Sequence, residues 1–537
     1  MSIPSSCKVL VIGGGIVGLT AAAFLAKHGV DTVLVERRAS PSKRLRAKFF
    51  YPRTIELYRS LGIDQKIATP PGTLSEAAVV HSLTGDEIRR WTLPAVGESA
   101  ASPCVASSIK QQDLECVVRD TAERLGAHIH FAHALTALDQ HADGATATIK
   151  AADGTEVLLH ADFVIGCDGS KSMVRDLLEI GTTGLGDLVH SMSITIRCDI
   201  REALRGRPLS FAWVRQPDIA GFMSWSTDLV SVVLSIEYDP TNPADIARFT
   251  PENCYLLAAR CLGLPSQQIE VVDIHPWCLS SWYAESFRKD RVFLAGDAIH
   301  STPPLGGFGA NTGIHDVHNL ALKLVSVIQH SAPESLLDLY EVERAPVVQM
   351  VVGQATARLA QRSNIQLPLE ALQPVLDEEM ISMGYRYPIL PHVELIPNPI
   401  VVHPRDLHAE PGTRAPHIWL HQAGVRLSSL DLFGDSLVLL VGSNAESWCM
   451  AAETSCRLHG LPVQCLVVGR DLQDPKCAFP AAYGVSETGA VLVRADGFVV
   501  WKTVRTNVFR HEDLLKVLVA AREVAEPVET IAAAVES

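Results

Sequence analysis

The spacing of glycines and an acid near the amino terminus could bind a dinucleotide. Gly13, Gly15 and Gly18 form a G-x-G-x-x-G loop between an apolar strand-like segment and an apolar helix-like segment. The first glycine permits a tight turn, the second lets the backbone approach a pyrophosphate, and the third lets helix and strand pack closely. A second strand-like segment ends at Glu36, where a carboxylate can accept hydrogen bonds from ribose hydroxyls. A tight turn without a ligand would leave Gly15 and Glu36 unexplained.

A second group of residues follows a later strand. The apolar segment 292–295 precedes Gly296 and Asp297, so Asp297 falls at the carboxyl end of a strand, where ligands bind in open α/β sheets. Two prolines and three glycines come next in the chain: Pro303, Pro304, Gly306, Gly307 and Gly309. A helix is then predicted from about Asn311 through Leu324, and its free N-terminal amides suit the stabilisation of negative charge.

Length and composition limit the domain organisation and the classes of protein to which the chain can belong. A chain of 537 residues predicts two or three domains, and a net charge of −14 argues against a nucleic-acid-binding surface. No segment resembles a membrane span or a signal peptide. The 12 cysteines have no C-x-x-C spacing, which favours reduced thiols in a cytoplasm. Neither a metal site nor a nucleophile motif is predicted.

Three motifs in this order resemble the FAD-dependent aromatic hydroxylases, the single-component class A flavoprotein monooxygenases. They are the glycine loop with Glu36, the Asp168-Gly169 turn, and GDAIHSTPPLGGFGANTGIHDVHNLALKL from Gly296. The resemblance covers nearly the whole chain. It implies an α/β fold: a Rossmann-like FAD-binding domain, an inserted antiparallel-sheet substrate domain and a C-terminal thioredoxin-like domain. It also implies that NADPH or NADH reduces FAD and that a flavin hydroperoxide hydroxylates a phenol or hydroxyquinone.

The resemblance also implies roles for individual residues. The FAD-binding positions are Gly13, Gly15, Gly18, Glu36, Arg37, Arg46, Gln111, Asp168, Gly296, Asp297, Pro304, Gly307, Gly309, Ala310 and Asn311. Three of the positions are also implied to be catalytic. Arg46 would touch the reduced flavin, Pro304 would keep the site dry, and the amide of Gly307 would stabilise charge on the ring. Because the chain holds one complete nucleotide fingerprint, NAD(P)H is expected to bind transiently near Arg46 and Asp168.

The middle of the chain alternates apolar and polar residues, which predicts an antiparallel sheet over the flavin. The expected FAD-binding domain is 1–180 and 280–395, the substrate domain is 181–279, and segment 72–105 is a candidate to join its sheet. Four large side chains at alternate strand positions are candidates to line an aromatic pocket: Phe211, Trp213, Met223 and Trp225. Core packing is the competing interpretation for each of them.

The C-terminal domain is expected at 396–537. A thioredoxin-type redox site needs two thiols one helical turn apart, but Ala452 stands where Cys449 would need its partner, so a packing or dimerisation role is preferred. The predicted activity is hydroxylation of a polycyclic aromatic natural product by dioxygen in a cytoplasmic protein, with a homodimer as one possible assembly. The alternatives are a phenol-catabolic hydroxylase, an oxidative decarboxylase or ring-rearranging oxygenase on the same scaffold, and a non-catalytic flavin-binding protein.

Overall fold

The computed structural model describes residues 3–41, 47–68, 76–92, 99–330, 332–362, 367–368, 373–388, 399–444, 446–459 and 463–505. Its strands are β1 Ser6–Ile12, β2 Thr32–Glu36, β3 Phe49–Phe50, β4 Glu76–Val80, β5 Glu87–Thr92, β6 Ser107–Ser108, β7 His128–Phe131, β8 His133–His141, β9 Gly144–Ala151, β10 Glu156–Gly166, β11 Thr182–Arg197, β12 Leu209–Gln216, β13 Ile219–Trp225, β14 Ser231–Glu237, β15 Glu270–Ala284, β16 Arg288–Lys289, β17 Val292–Leu294, β18 His300–Ser301, β19 Trp419–Gln422, β20 Val425–Ser428, β21 Leu437–Val441, β22 Val463–Val467, β23 Ala490–Val493 and β24 Val499–Thr503. Its helices are α1 Ile16–Lys27, α2 Pro52–Ser60, α3 Gln111–Arg124, α4 Met173–Leu177, α5 Arg201–Leu204, α6 Pro243–Ala247, α7 Pro251–Leu262, α8 Phe308–His330, α9 Leu339–Arg362, α10 Glu378–Met383, α11 Glu446–His459 and α12 Phe479–Tyr483.

The first sheet has a parallel centre in the order β17-β10-β1-β2-β7. Its inner strands are apolar because helices or further chain cover both faces, and every residue of β2 is buried. The antiparallel strands β8 and β9 continue from β10. This arrangement confirms the Rossmann-like fold and brings the carboxyl ends of β1, β2, β10 and β17 to one edge.

The second sheet has the order β18-β15-β11-β14-β13-β12-β4-β5 and is mostly antiparallel. One face packs on α7, where Cys254, Ala258 and Leu262 contact alternate apolar residues of the strands. The strands β4 and β5, from segment 72–105, lie at one end of this sheet, and β15 continues past residue 279 to Ala284. The other face of the sheet is therefore free to form the wall of a site.

The C-terminal domain has a four-stranded sheet in the order β22-β21-β23-β24, with α11 between the parallel pair β21 and β22. This agrees with the expected thioredoxin-like fold. A disulfide joins Cys449 of α11 to Cys465 of β22, so the expectation of reduced cysteines throughout is wrong for this pair. The partner thiol comes from a neighbouring strand rather than from the next helical turn. The helix expected near His511 lies outside the described residues.

Buried ion pairs attach this domain to the first one. The guanidinium of Arg414 donates to both carboxylate oxygens of Glu56 on α2, and Arg494 donates to Glu343 on α9 at 2.5 and 3.1 Å. The ring of Phe498 stacks on Tyr387 with 4.1 Å between centroids. The C-terminal domain thus braces two helices of the first domain. Of the helices that the structure describes, none has the length and apolar content needed to cross a membrane.

Candidate functional site

A single large cavity joins the carboxyl edge of the first sheet to the free face of the second. Its volume is about 2410 Å³, and its lining includes Gly15, Glu36, Asp297, Gly307 and Trp213. Ligand pockets commonly measure about 300–1,000 Å³. The cavity therefore has room for a large cofactor and a second ligand together.

The glycine loop of this cavity is fixed by close packing at two positions and open at the third. A side chain on Gly13, where φ is +108°, would place its Cβ 2.4 Å from the carbonyl oxygen of Cys167. A Cβ on Gly18 would lie 2.0 Å from the oxygen of Gly13. At Gly15, the residue before α1, no atom lies within 4 Å of such a Cβ and no side chain caps the helix. The free amides of α1 thus face an open cradle that suits a pyrophosphate.

Glu36 ends β2 with a buried carboxylate that is already oriented. Its Oε2 accepts a hydrogen bond from the amide of Gly14 at 2.7 Å, and its Oε1 accepts from both the amide and Nε of Arg38 at 2.9 Å. Burial would raise the pKa of Glu36, but the hydrogen bonds from Arg38 and Gly14 outweigh it, and the pKa lies below its ordinary value. Arg37, the predicted binding residue, is exposed and lines the cavity, whereas the arginine that holds Glu36 is Arg38, which was not predicted. An arginine two residues after an acid that ends a strand is the signal that could have indicated it.

Gln111 and Asp168 line the cavity, and both also hold the local backbone. Oε1 of Gln111 accepts from the amide of Ala47 at 3.3 Å, and its Nε2 donates to Glu115 at 2.7 Å. The carboxylate of Asp168 accepts from the hydroxyl of Ser172 at 2.5 Å and from the amide of Val174 at 3.1 Å, at the start of α4. Burial is the largest influence on Asp168 and raises its pKa. These contacts shape the turn that follows β10.

The predicted flavin loop is a glycine turn followed directly by α8. Gly306 and Gly307 have φ values of +96° and +67°, a conformation that favours glycine. The helix begins at Phe308, so the expectation of a start near Asn311 is wrong by three residues. The left-handed turn ends the loop early, and residues expected in the loop form the first helical turn instead. Gly309 and Ala310 line the cavity from that turn, as does the exposed Pro304 before it.

Asn311 is buried behind this turn rather than facing the cavity. Its Oδ1 accepts from the amide of Tyr51 at 3.0 Å and from the hydroxyl of Thr54 at 2.6 Å. Its Nδ2 donates to the oxygens of Phe49 at 3.1 Å and Gly307 at 2.8 Å. The side chain therefore ties β3 and α2 to the glycine turn.

The free face of the second sheet carries the aromatic wall. Phe211 and Trp213 line the cavity and meet edge to face with 5.1 Å between ring centroids. Register pairs Trp213 with Phe222, which also lines the cavity and was not among the predicted residues. Trp91 of β5 stacks on Trp213 at 5.6 Å. Cross-strand register decides which rings lie next to each other at the cavity, and this register cannot be read from the sequence.

The expectation that Met223 and Trp225 contact the substrate is wrong. Both side chains are buried in the core on the α7 side of the sheet, at 0% and 1% exposure. Strand side chains alternate between faces, so the even-numbered residues Phe222 and Ser224 of β13 face the cavity instead. The predicted alternation of side chains between two faces is confirmed. For β13, however, the residues expected at the cavity lie on the core face.

The structure brings most of the predicted site residues to the one cavity. The lining includes Gly13, Gly15, Glu36, Arg37, Gln111, Asp168, Asp297, Pro304, Gly307, Gly309, Ala310, Phe211 and Trp213. Gly18 and Gly296 instead allow close packing, since a Cβ on Gly296 would lie 2.9 Å from Val17. Arg46 lies outside the described residues.

Comparisons with known proteins identify the family. The model of a family described as FAD binding domain matches residues 6–355, and that of the aromatic-ring hydroxylase C-terminal domain matches residues 408–522. This chain belongs to the FAD-dependent aromatic-ring hydroxylases. The hydroxylase is thus a flavoprotein monooxygenase, and the open cradle at Gly15, the oriented Glu36 carboxylate and the cavity volume fit FAD.

Similar proteins cover almost the full length of the hydroxylase. The 4-methyl-5-nitrocatechol 5-monooxygenase of Burkholderia sp is 36% identical over 92% of this chain and 94% of its own. The tetracenomycin A2 monooxygenase-dioxygenase of Streptomyces glaucescens is 36% identical over 92% of this chain and 93% of its own. The crystal structure of aklavinone-11 hydroxylase with FAD and aklavinone has a TM-score of 0.88 at 33% identity, covering 97% of this chain and 100% of its own.

Proposed function

We propose that this hydroxylase oxygenates a polycyclic phenol or hydroxyquinone during the tailoring of an aromatic natural product. The width of the cavity-lining face of the second sheet carries this proposal. Cavity-lining residues run from His275 on β15 to Trp91 on β5, seven neighbouring strands in the sheet order. Six interstrand spacings of about 4.8 Å give a face roughly 29 Å across, wide enough for a fused-ring skeleton. The similarity to hydroxylases named for tetracenomycin and aklavinone supports the same substrate class.

FAD, when bound, supplies the redox chemistry that links a nicotinamide donor to dioxygen. The residues of the chain bind, orient and shield it. The α1 amides after Gly15 meet the pyrophosphate, and Glu36 accepts hydrogen bonds from a ribose. Helix α8 begins directly after Gly307, and the amides of its first turn stabilise negative charge on the flavin ring. Pro304 and the wall around Trp213 exclude water from the reacting ring.

NADPH or NADH is the proposed reductant, binding transiently in the cavity beside Asp168. Support comes from the chain having one complete dinucleotide loop, at Gly13 to Gly18, which FAD would occupy. The open lining around Gly169, Ser170 and Lys171 leaves room next to that loop. A cytoplasmic location and a homodimeric assembly remain predictions from the sequence.

Product analysis under isotopically labelled dioxygen tests the proposed activity. The purified protein, FAD and NADPH are incubated with a panel of hydroxyanthraquinones and single-ring phenols, and the products are analysed by mass spectrometry. Incorporation of one labelled oxygen atom into a polycyclic substrate is expected. A product that lacks the carbon dioxide unit of its substrate would instead indicate an oxidative decarboxylase. Ligand binding without NADPH oxidation across the panel would indicate a non-catalytic binding protein.

A phenol-catabolic hydroxylase is the second candidate. The similarity to the nitrocatechol monooxygenase of Burkholderia supports it, because that protein covers the same length at the same identity as the tetracenomycin relative. The ratio of kcat/KM values separates the two candidates. A ratio that favours the hydroxyanthraquinones supports natural-product tailoring, and a ratio that favours the single-ring phenols supports catabolism.

A further inference from the structure

Lys48 lies where the predicted flavin-binding residues meet the aromatic wall. The preceding residue, Ala47, accepts a hydrogen bond from the amide of Gln111 at 2.9 Å. The following residue, Phe49, accepts one from Nδ2 of Asn311 at 3.1 Å. Lys48 itself lines the cavity. Residues of the predicted flavin site therefore fix the backbone on both sides of this lysine.

The side chain of Lys48 reaches the second sheet. Its Nζ donates to the carbonyl oxygen of Ser210 at 2.8 Å and of Trp225 at 3.4 Å. These carbonyls adjoin Phe211 and Ser224, a cross-strand pair whose members both line the cavity. The ammonium group thus lies at the flavin-proximal end of the aromatic wall.

The charge of Lys48 is not neutralised by the protein that the structure describes. No carboxylate of the described ranges forms an ion pair with it, and burial alone lowers its pKa to about 8. An ammonium has three hydrogen-bond donors, and the two carbonyls use two of them. Because a half-buried charge without an ionic partner is costly, a bound anion at the third position would be stabilised.

One titratable pair on this face, His275 with Asp273, lies too far away to contact Lys48. Nδ1 of His275 lies 2.9 Å from Asp273 on β15. The strands β11 and β14 separate β15 from β13 in the sheet. Three spacings of about 4.8 Å place this pair roughly 14 Å from the strands that Lys48 touches. A ligand oxygen beside the flavin end of the wall would therefore meet Lys48 and not His275.

We propose that the ammonium group of Lys48 binds the ionised hydroxyl oxygen of the aromatic substrate. This inference rests on the proposed function. The phenolic O–H bond breaks as the substrate leaves bulk solvent, which takes up the proton, and the electron pair stays on the oxygen beside Nζ. The resulting phenolate is more electron-rich at the ring carbon that accepts oxygen. An adjacent opposite charge lowers the pKa of an acid by about 1–3 units.

The ionisation of a bound coloured phenol tests this role without turnover. 4-nitrocatechol changes its visible spectrum on ionisation, so its pKa can be titrated in complex with the FAD-loaded protein. We expect the bound pKa to lie about 1–3 units below the free value in the wild type. Lys48→Met is expected to abolish that lowering and to weaken binding at intermediate pH by about tenfold or more, the equivalent of one pKa unit. Lys48→Arg keeps the charge and should keep most of the lowering.

Two further variants complete the test. Lys8→Met removes an exposed lysine that pairs with Asp162 near the start of β1, and it should match the wild type. If Lys48→Met does not retain FAD, Lys48→Gln replaces it as the neutral variant, because its amide can still donate to the two carbonyls. The pKa of bound 4-nitrocatechol is then compared between Lys48→Gln and the wild type. An unchanged bound pKa in the neutral variant overturns the role of Lys48 alone. Failure of any phenol to bind the wild type overturns both this inference and the proposed function.

Discussion

The side chain of Asn311 holds the backbone of Tyr51, with 3.0 Å between Oδ1 and the amide nitrogen. This contact joins the first turn of α8 to the segment that leads into α2. The same side chain donates to the oxygen of Gly307, so one residue sets the position of the glycine turn relative to β3. The cavity-facing backbone of the glycine turn is therefore fixed by a side chain that lies behind it.

Replacing Asn311 by leucine should weaken FAD binding and lower thermal stability together. The leucine leaves the amide of Tyr51 and the oxygens of Phe49 and Gly307 without this partner, and each unsatisfied buried group costs about 1–3 kcal/mol. Thermal melting and flavin absorbance of the purified protein measure the two effects. Asn444→Leu, at an exposed asparagine that donates to Glu487, is the control. Equal flavin content and equal melting temperatures in the two variants would contradict the role given to Asn311.

Asp297→Ala should purify with little or no FAD. Asp297 is exposed to the cavity in the turn after β17, where its carboxylate is predicted to bind the ribityl chain. The ratio of flavin to protein absorbance measures retention. Asp143→Ala, in the exposed hairpin between β8 and β9, should stay as yellow as the wild type. A fully yellow Asp297→Ala protein would refute the assignment.

Substitutions on the two faces of the second sheet should affect different properties, ligand affinity on the cavity face and stability on the core face. Trp213→Ala removes a ring of the cavity wall and should weaken binding of an aromatic ligand with a small change in stability. Met223→Ala leaves a hole in the buried core and should cost about 2–5 kcal/mol of unfolding free energy, with ligand affinity retained. Ligand titration and denaturant unfolding separate the two effects. The face assignment fails if Met223→Ala alters affinity more than Trp213→Ala does.

Arg414→Met should destabilise the junction between the C-terminal domain and α2. Burial raises the pKa of Glu56, but Arg414 and Arg53 outweigh it, and the pKa lies below its ordinary value. The pair therefore stabilises the fold at pH values above the unfolded-state pKa of about 4.3, and this contribution is lost as pH falls through the lower folded-state pKa. Breaking a buried pair costs about 3–5 kcal/mol.

Melting temperatures measured from pH 2 to 8 check this prediction, and the difference in melting temperature between the wild type and Arg414→Met should shrink below about pH 4. Arg470→Met, at an exposed pair with Asp471, should change stability by at most about 1 kcal/mol. Adding Glu56→Gln to Arg414→Met should restore part of the stability. Indistinguishable melting of Arg414→Met and wild type at neutral pH would show that the junction does not depend on this pair.

Arg46→Ala should slow reduction of the flavin by NADPH while FAD stays bound. Arg46 follows the dinucleotide loop in the chain and is predicted to meet the reduced flavin. Stopped-flow absorbance under anaerobic conditions measures the reduction rate. Arg405→Ala, at an exposed arginine that does not line the cavity, is the control. A reduction rate equal to that of the wild type would reject this role for Arg46.

Local spacing predicted which residues meet at the carboxyl edge of the first sheet. The glycine loop, Glu36 and Asp297 each follow a strand of the parallel sheet, and parallel strands bring their carboxyl ends to one edge. The start of α8 was misplaced because the left-handed φ of Gly306 and Gly307 ends the loop in a way that composition does not reveal. Lys48 was missed because a lone lysine in sequence usually lies in solvent, whereas here the chain folds it against β12 and β13.

The sequence by itself determined the parallel sheet and the edge at which the predicted binding residues meet, since glycine spacing and apolar periodicity act through neighbours a few residues apart. Tertiary structure alone decided which face of β13 meets the cavity, so that Phe222 lines it and Met223 does not. It also decided that Cys449 pairs with Cys465 and that Arg414 neutralises Glu56. These contacts join segments that are distant in the chain, and strand register and helix packing rather than local sequence bring them together.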